Sequence, residues 1–144
     1  MTMMTKRQAL SALLGSAAAM GLATGAALAG ATDPLFINLT SDDGHRVRMA
    51  LQFGGVQLQR GHPLTIFLND RAVVVASKKN SATYAEQQRT IADLIGKGAI
   101  FLVCPMCMQH YGVQESDLLP GLLTGNPDRT GSALFRDNTK TMTW

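Results

Sequence analysis

The chain has little of what several common classes of protein require. It contains two cysteines in 144 residues, which is too few for a disulfide scaffold. Its formal charge is only +3, and removing Lys6 and Arg7 from the 13 basic residues leaves 11 against 10 acidic ones. This balance gives no support for a nucleic-acid partner. No serine lies in a nucleophile elbow, and the sequence has neither a phosphate-binding loop nor an internal repeat.

The first 29 residues are typical of an export signal. A short basic start ending at Lys6 and Arg7 precedes the apolar run ALSALLGSAAAMGLATGAALA, and Ala27 and Ala29 suit cleavage after Ala29. Because the run is rich in Ala and Gly, we do not expect it to remain as a membrane span. The segment TKRQAL resembles a lysine-arginine variant of the twin-arginine signal. We therefore predict a periplasmic protein, with no membrane association after cleavage, whose single domain is residues 30–144.

The mature part alternates between strand-like and helix-like segments. Continuous or strand-like apolar runs predict strands, and apolar residues at helical spacing predict helices: 34–42, 62–70 and 99–104 for the strands, 44–61 and 84–98 for the helices. A last short helix within 126–138 and a final strand at TMTW complete the pattern. Strands that alternate with helices predict an α/β fold, here a three-layer, doubly wound, mostly parallel sheet.

Two further segments are less clear from the sequence. RAVVVASKKN (71–80) fits either a continued strand or a short buried helix. SDLLPGLL (116–123) has a capping serine and one apolar face, as a short helix would.

The two cysteines lie three positions apart, directly after the apolar run AIFLVC (99–104). A run without alternation is typical of a strand covered on both faces, and Pro105 suits the first turn of a helix. We therefore expect Cys104 at the N-cap of a short helix over about 105–111, at the carboxyl edge of the sheet, where sites form in such folds. Backbone N–H groups at a helix start favour a thiolate, so Cys104 is the predicted reactive sulfur and Cys107 its auxiliary partner.

Other interpretations of these residues stay open. Either cysteine is small and apolar enough to be a core residue. The segment also offers soft ligands for Cu(I): Cys104, Met106, Cys107, Met108 and His110. Consecutive residues of a helix point in different directions and cannot all reach one ion. We therefore predict no metal site and no cofactor. A structural zinc site would need two further ligands. His45 is a candidate to face the cysteine pocket, whereas His62 and the pair Asp42 and Asp43 are expected to be structural.

Four segments in this order resemble the DsrE/DsrF-like family of small sulfur-relay proteins, over about Leu35 to Leu122. They are a strand leading into a helix, a Gly-His pair before an apolar strand, a helix followed by a strand ending in cysteine, and that cysteine's own helix: LFINLTSDD, RGHPLTIFLND, IADLIGKGAIFLVC and CPMCMQHYGV.

The resemblance implies a function as well as a fold. Members of this family form doubly wound sandwiches that assemble as homotrimers, hexamers or hetero-oligomers, and some carry sulfur as a persulfide on the cysteine at the position of Cys104. We therefore expect an exported sulfur carrier or sulfurtransferase-like protein that is a homo-oligomer and exchanges sulfur with a donor or acceptor protein. The alternatives are an oligomeric binding module without chemistry, and a periplasmic thiol-redox or copper-handling protein.

Overall fold

The computed structural model describes Gly30 and residues 32–144, so the predicted export signal lies outside the described residues. This part of the chain folds into five strands and four α-helices. They are β1 (Leu35–Leu39), α1 (Gly44–Gln59), β2 (Leu64–Leu68), α2 (Ser81–Gly96), β3 (Ile100–Val103), α3 (Pro105–His110), β4 (Leu123–Thr124), α4 (Pro127–Leu134) and β5 (Lys140–Thr143). Within these residues, no helix has the length and apolar character of a membrane-spanning segment.

The strands form one sheet in the order β4-β3-β2-β1-β5, and every neighbouring pair is parallel. The chain moves in one direction across the sheet from β1 to β4. It then returns along α4 to place β5 on the other side of β1. This reversal makes the sheet doubly wound, as predicted, and parallel throughout.

One face of the sheet holds the main core. Strand residues at alternate positions point to this side, and Ile37, Ile66 and Phe101 are completely buried there against α1 and α2. Helix α1 lies very close to the sheet at Gly54, where an added Cβ would come within 3.0 Å of the Ile37 side chain. A larger residue at this position would therefore force α1 away from the strands.

The opposite face, which we call the open face, is only partly covered. It is formed by Phe36, Asn38, Thr65, Phe67, Ile100 and Leu102, which alternate with the core residues. Helix α4 crosses it, and Thr130 and Leu134 line a groove there with Phe36 and Phe67. Helices thus lie on both sides of the sheet, which confirms the three-layer arrangement.

The two segments that were unclear from the sequence form short 3₁₀ helices and turns. Residues 71–80 fall in the 3₁₀ helices Asp70–Ala76 and Lys78–Asn80. The helical reading of 116–123 is wrong, because this stretch holds only the end of a 3₁₀ turn, Glu115–Asp117, and the start of β4. Gly121 adopts a φ of 86°, which a right-handed helix does not accommodate.

Candidate functional site

Cys104 lies where the sequence predicted it, between the end of β3 and the start of α3. Its backbone N–H donates to the Leu68 carbonyl of the neighbouring strand over 2.9 Å, so the residue still belongs to the sheet ladder. Its own carbonyl accepts from the Met108 N–H over 2.9 Å, so it is also the N-cap of α3. Pro105 occupies the first helical position, where its missing N–H leaves no bond unmade.

The Cys104 side chain is half-buried and lines a cleft on the open face. None of the described N–H groups of α3 makes a capping hydrogen bond to its sulfur. Helix α3 has only six residues, so its dipole is short. The predicted position is therefore confirmed, whereas the predicted stabilisation by helix amides has no hydrogen bond to support it.

Cys107, one turn later, is also half-buried and, like Cys104, carries a free thiol. Burial raises the pKa of the Cys107 thiol, and a hydrogen-bonding contact with the Cys104 side chain raises it further. The backbone N–H of Asp70 acts in the opposite direction and lowers it. The two sulfurs thus form one local unit, in which Cys107 keeps its proton to a higher pH than an ordinary thiol does.

Asp70, two residues after the end of β2, shapes the surroundings of Cys107. Its backbone adopts a φ of 45°, which is uncommon for a residue with a side chain. Its carboxylate accepts a hydrogen bond of 2.6 Å from the Tyr111 hydroxyl, and this bond raises the pKa of Tyr111. The sequence places Asp70 only at the end of the predicted strand 62–70, and no local pattern of residues indicates that Asp70 and Tyr111 would meet.

The loops after β1 and β2 are joined by an ion pair. Arg71 donates to both carboxylate oxygens of Asp42, over 2.9 and 2.8 Å, and these bonds hold the pKa of Asp42 below its usual value. The neighbouring Asp43 accepts from the Arg46 N–H over 2.9 Å and caps α1, as the sequence suggested. These carboxylates are therefore occupied in holding the edge of the sheet together.

The three histidines do not form a cluster with the cysteines. His45 is exposed in the first turn of α1 and does not line the cleft beside Cys104. His110 is exposed at the end of α3, and its ring stacks edge-on against Tyr111 at 4.7 Å between centroids. His62 lies at the amino end of the sheet, where its Nδ1 bonds the Asp33 carbonyl over 2.8 Å, in keeping with a structural role.

The soft side chains of α3 point in different directions. Met106 is 79% exposed, whereas Met108 is buried in the core at 5%. Among the described residues, no three His, Cys, Asp or Glu side chains come together as they would around a metal ion. Cys104 and Cys107 are the two free thiols at this edge of the sheet.

These features define a class of protein: a doubly wound α/β domain with a cysteine at a strand-to-helix junction on the carboxyl edge of its sheet. The family model of the DsrE/DsrF-like family matches residues 34–133. The chain belongs to this family.

The chain is also similar to individual proteins. The uncharacterized protein MJ0989 of Methanocaldococcus jannaschii is 32% identical over 77 residues, which cover 53% of this chain and 68% of that protein. The structure of MTH1491 from Methanobacterium thermoautotrophicum, a protein of unknown function, superposes with a TM-score of 0.65 at 16% identity, over 77% of this chain and 98% of that one. The crystal structure of the ychN protein from E. coli superposes with a TM-score of 0.58 at 13% identity, over 78% of this chain and 99% of that one. These structures support the fold.

Proposed function

We propose that this chain is an exported sulfur carrier that holds a sulfane sulfur as a persulfide on Cys104. The observation that carries the proposal is the placement of Cys104, half-exposed in a cleft at the carboxyl edge of the sheet. Membership of the DsrE/DsrF-like family supports a part in sulfur relay. The chain would then pass its sulfur to an acceptor protein or receive it from a donor.

The chemistry needs only thiol exchange. The Cys104 thiolate attacks the outer sulfur of a donor, a new S–S bond forms, and the donor's remaining group leaves with the electron pair of the broken bond. A second thiolate, on an acceptor, reverses the reaction. Neither transfer requires an oxidant, because the sulfane sulfur keeps its oxidation level throughout.

Cys107 is proposed as the auxiliary residue of this unit. Because its pKa is raised, its thiol is protonated at neutral pH and can donate a hydrogen bond to the sulfur on Cys104. A protonated thiol is a poor nucleophile, so it would not readily attack the persulfide to form a disulfide. This property favours a carrier over a thiol-redox protein.

The decisive experiment compares Cys104→Ser with Cys107→Ser after incubation with sulfane-sulfur donors. Serine is a good N-cap residue, so the first variant should keep its fold. We expect the intact mass of the wild type and of Cys107→Ser to increase by one sulfur atom, and that of Cys104→Ser to stay unchanged. Equal loading of Cys104→Ser would refute the proposal. Slow alkylation of both thiols in the native protein, without loading, would instead favour the binding module.

The export part of the proposal rests on residues 1–29. Fractionation of cells that express the full chain should place a shortened protein in the periplasm, beginning after Ala29. A full-length protein in the cytoplasm would contradict it.

We also propose that the chain assembles as a homo-oligomer, a trimer or a hexamer. Ile100 and Leu123 support this, because they lie on the open face of neighbouring strands and are 46% and 43% exposed. Apolar residues exposed side by side are common where a second copy packs.

A further inference from the structure

The cleft beside Cys104 is walled by apolar groups. It is open to solvent and has a volume of about 240 Å³. Its lining is formed by the end of β2, the start of α3 and the loop that begins α4: Phe67, Cys104, Pro105, Met106, Gly125, Asn126, Pro127 and Thr130. The exposed Met106 side chain forms its rim. The protein surface that a molecule contacts when it reaches the Cys104 sulfur from this side is therefore almost entirely apolar.

The described lining of this cleft contains no charged side chain. The nearest arginine in the sequence is Arg129 on α4, whose Nη1 donates to the Thr124 carbonyl over 2.5 Å. The Asn126 side-chain oxygen accepts from the Arg129 N–H over 2.7 Å and caps α4. An inorganic dianion placed here would lose water without gaining a cation, which is unfavourable.

The floor of the cleft is kept open by Gly125. A Cβ at this position would lie 3.1 Å from Thr130 Oγ1 and 3.3 Å from Phe67 Cε2, so a side chain would fill the space between α4 and the sheet. Phe67 and Thr130 also line a second cleft of about 420 Å³ further along the open face, which is likewise without a charged residue in its described lining. The space next to Cys104 thus suits an organic group.

We propose that this cleft binds an apolar organic group that carries the transferable sulfur, so the donor is an organic sulfane-sulfur compound and not inorganic thiosulfate. The inference rests on the proposed function and adds the class of donor to it. With an organic thiosulfonate, the Cys104 thiolate attacks the sulfane sulfur, the S–S bond to the sulfonyl group breaks, and a sulfinate anion leaves with its electron pair. The product on Cys104 is a persulfide anion, and no oxidant or reductant is consumed.

The test uses full-length protein carrying Cys107→Ser, so that only one thiol can react. Rates of sulfur loading are measured by intact mass with thiosulfate and with methane-, butane- and benzenethiosulfonate. Each rate is divided by the rate of the same donor with N-acetylcysteine at the same pH, which removes differences in intrinsic reactivity. We expect the normalised rate to rise from thiosulfate to benzenethiosulfonate by at least about tenfold, as burial of several carbon atoms allows.

Two variants locate the effect. Met106→Ala shortens an exposed rim residue and should reduce the normalised preference for benzenethiosulfonate by roughly twofold to fivefold, about the effect of losing the contact of one methylene group. Met49→Ala is the matched control, since Met49 is an exposed methionine on α1, on the other side of the sheet. It should leave the preference unchanged.

The outcomes separate the two proposals. If no donor loads Cys104, the sulfur-carrier proposal fails. If donors load Cys104 but the normalised rates are equal, or highest with thiosulfate, the carrier stands and the organic-donor inference is refuted. A preference that Met106→Ala and Met49→Ala reduce equally would also refute it.

Discussion

Cys104 and Cys107 carry the same side chain, and their surroundings distinguish them. Cys104 directly follows β3 and lines an apolar cleft, so its sulfur is approachable from the open face. Cys107 lies against the 3₁₀ helix that follows β2, where burial and the Cys104 side chain raise its pKa. In the proposed carrier, the first residue would therefore hold the sulfur and the second would donate a hydrogen bond to it.

This difference predicts the alkylation behaviour of Cys107. An ordinary cysteine thiol has a pKa of ~8.5. In Cys104→Ser, burial still raises the pKa of Cys107, so its thiolate should appear only at a higher pH than that of an ordinary thiol. Alkylation by iodoacetamide at neutral pH should therefore be slower than that of free cysteine, and the rate should reach the free-cysteine rate only as the pH rises further. The experiment is a pH series followed by mass spectrometry. A rate equal to that of free cysteine at pH 7 would contradict the assignment.

At the scale of elements, a buried glutamine joins α2 to the 3₁₀ helix that supports the cysteines. Gln88 is 6% exposed, and its Nε2 donates to the carbonyls of Val75 and Ser77 over 3.0 and 2.9 Å. Its Oε1 accepts from the Ser81 hydroxyl over 2.7 Å. The 3₁₀ helix leaves carbonyls without regular backbone partners, and the Gln88 side chain supplies hydrogen-bond donors to two of the carbonyls in this region.

Gln88→Leu should therefore destabilise the protein. The substitution keeps the volume approximately but removes both bonds to the carbonyls, which costs about 1–3 kcal/mol of unfolding free energy. Urea unfolding followed by circular dichroism measures the change. Gln109→Leu is the control, because Gln109 is exposed on α3 and should change the stability little. Equal midpoints for Gln88→Leu and the wild type would show that the bonds contribute nothing.

At the scale of the molecule, the two faces of the sheet are unequal. Within Gly30 and residues 32–144, two 16-residue helices cover the core face, whereas one eight-residue helix crosses the open face. Ile100 and Leu123 are left exposed as a consequence, near the edge formed by the two-residue strand β4. A short edge strand with apolar neighbours is a surface that a second copy can cover.

A single charge on this surface tests the proposed assembly. We expect sedimentation of the wild type to give the mass of a trimer or hexamer, and Ile100→Lys to shift the protein towards the monomer, because a buried unpaired charge opposes association. Ala92→Lys places the same charge on an exposed position of α2 and should leave the mass unchanged. A wild type that sediments as a monomer would refute the oligomer.

The sequence by itself determined much of the framework. Continuous apolar runs such as AIFLVC predicted buried parallel strands, and Pro105 after Cys104 predicted the strand-to-helix junction, because both signals depend only on neighbouring residues. The helical reading of SDLLPGLL was wrong, because an apolar face can also arise in a turn, and Gly121 with its positive φ does not fit a helix.

Only the tertiary structure decided what surrounds the cysteines. Asp70 and Tyr111 are 41 positions apart, and they meet because parallel pairing of β2 and β3 brings the ends of both strands to one edge. The uncharged cleft depends in the same way on α4 returning across the open face to Phe67. Such contacts follow from sheet register and crossover, which are long-range properties, and no local pattern of residues encodes them.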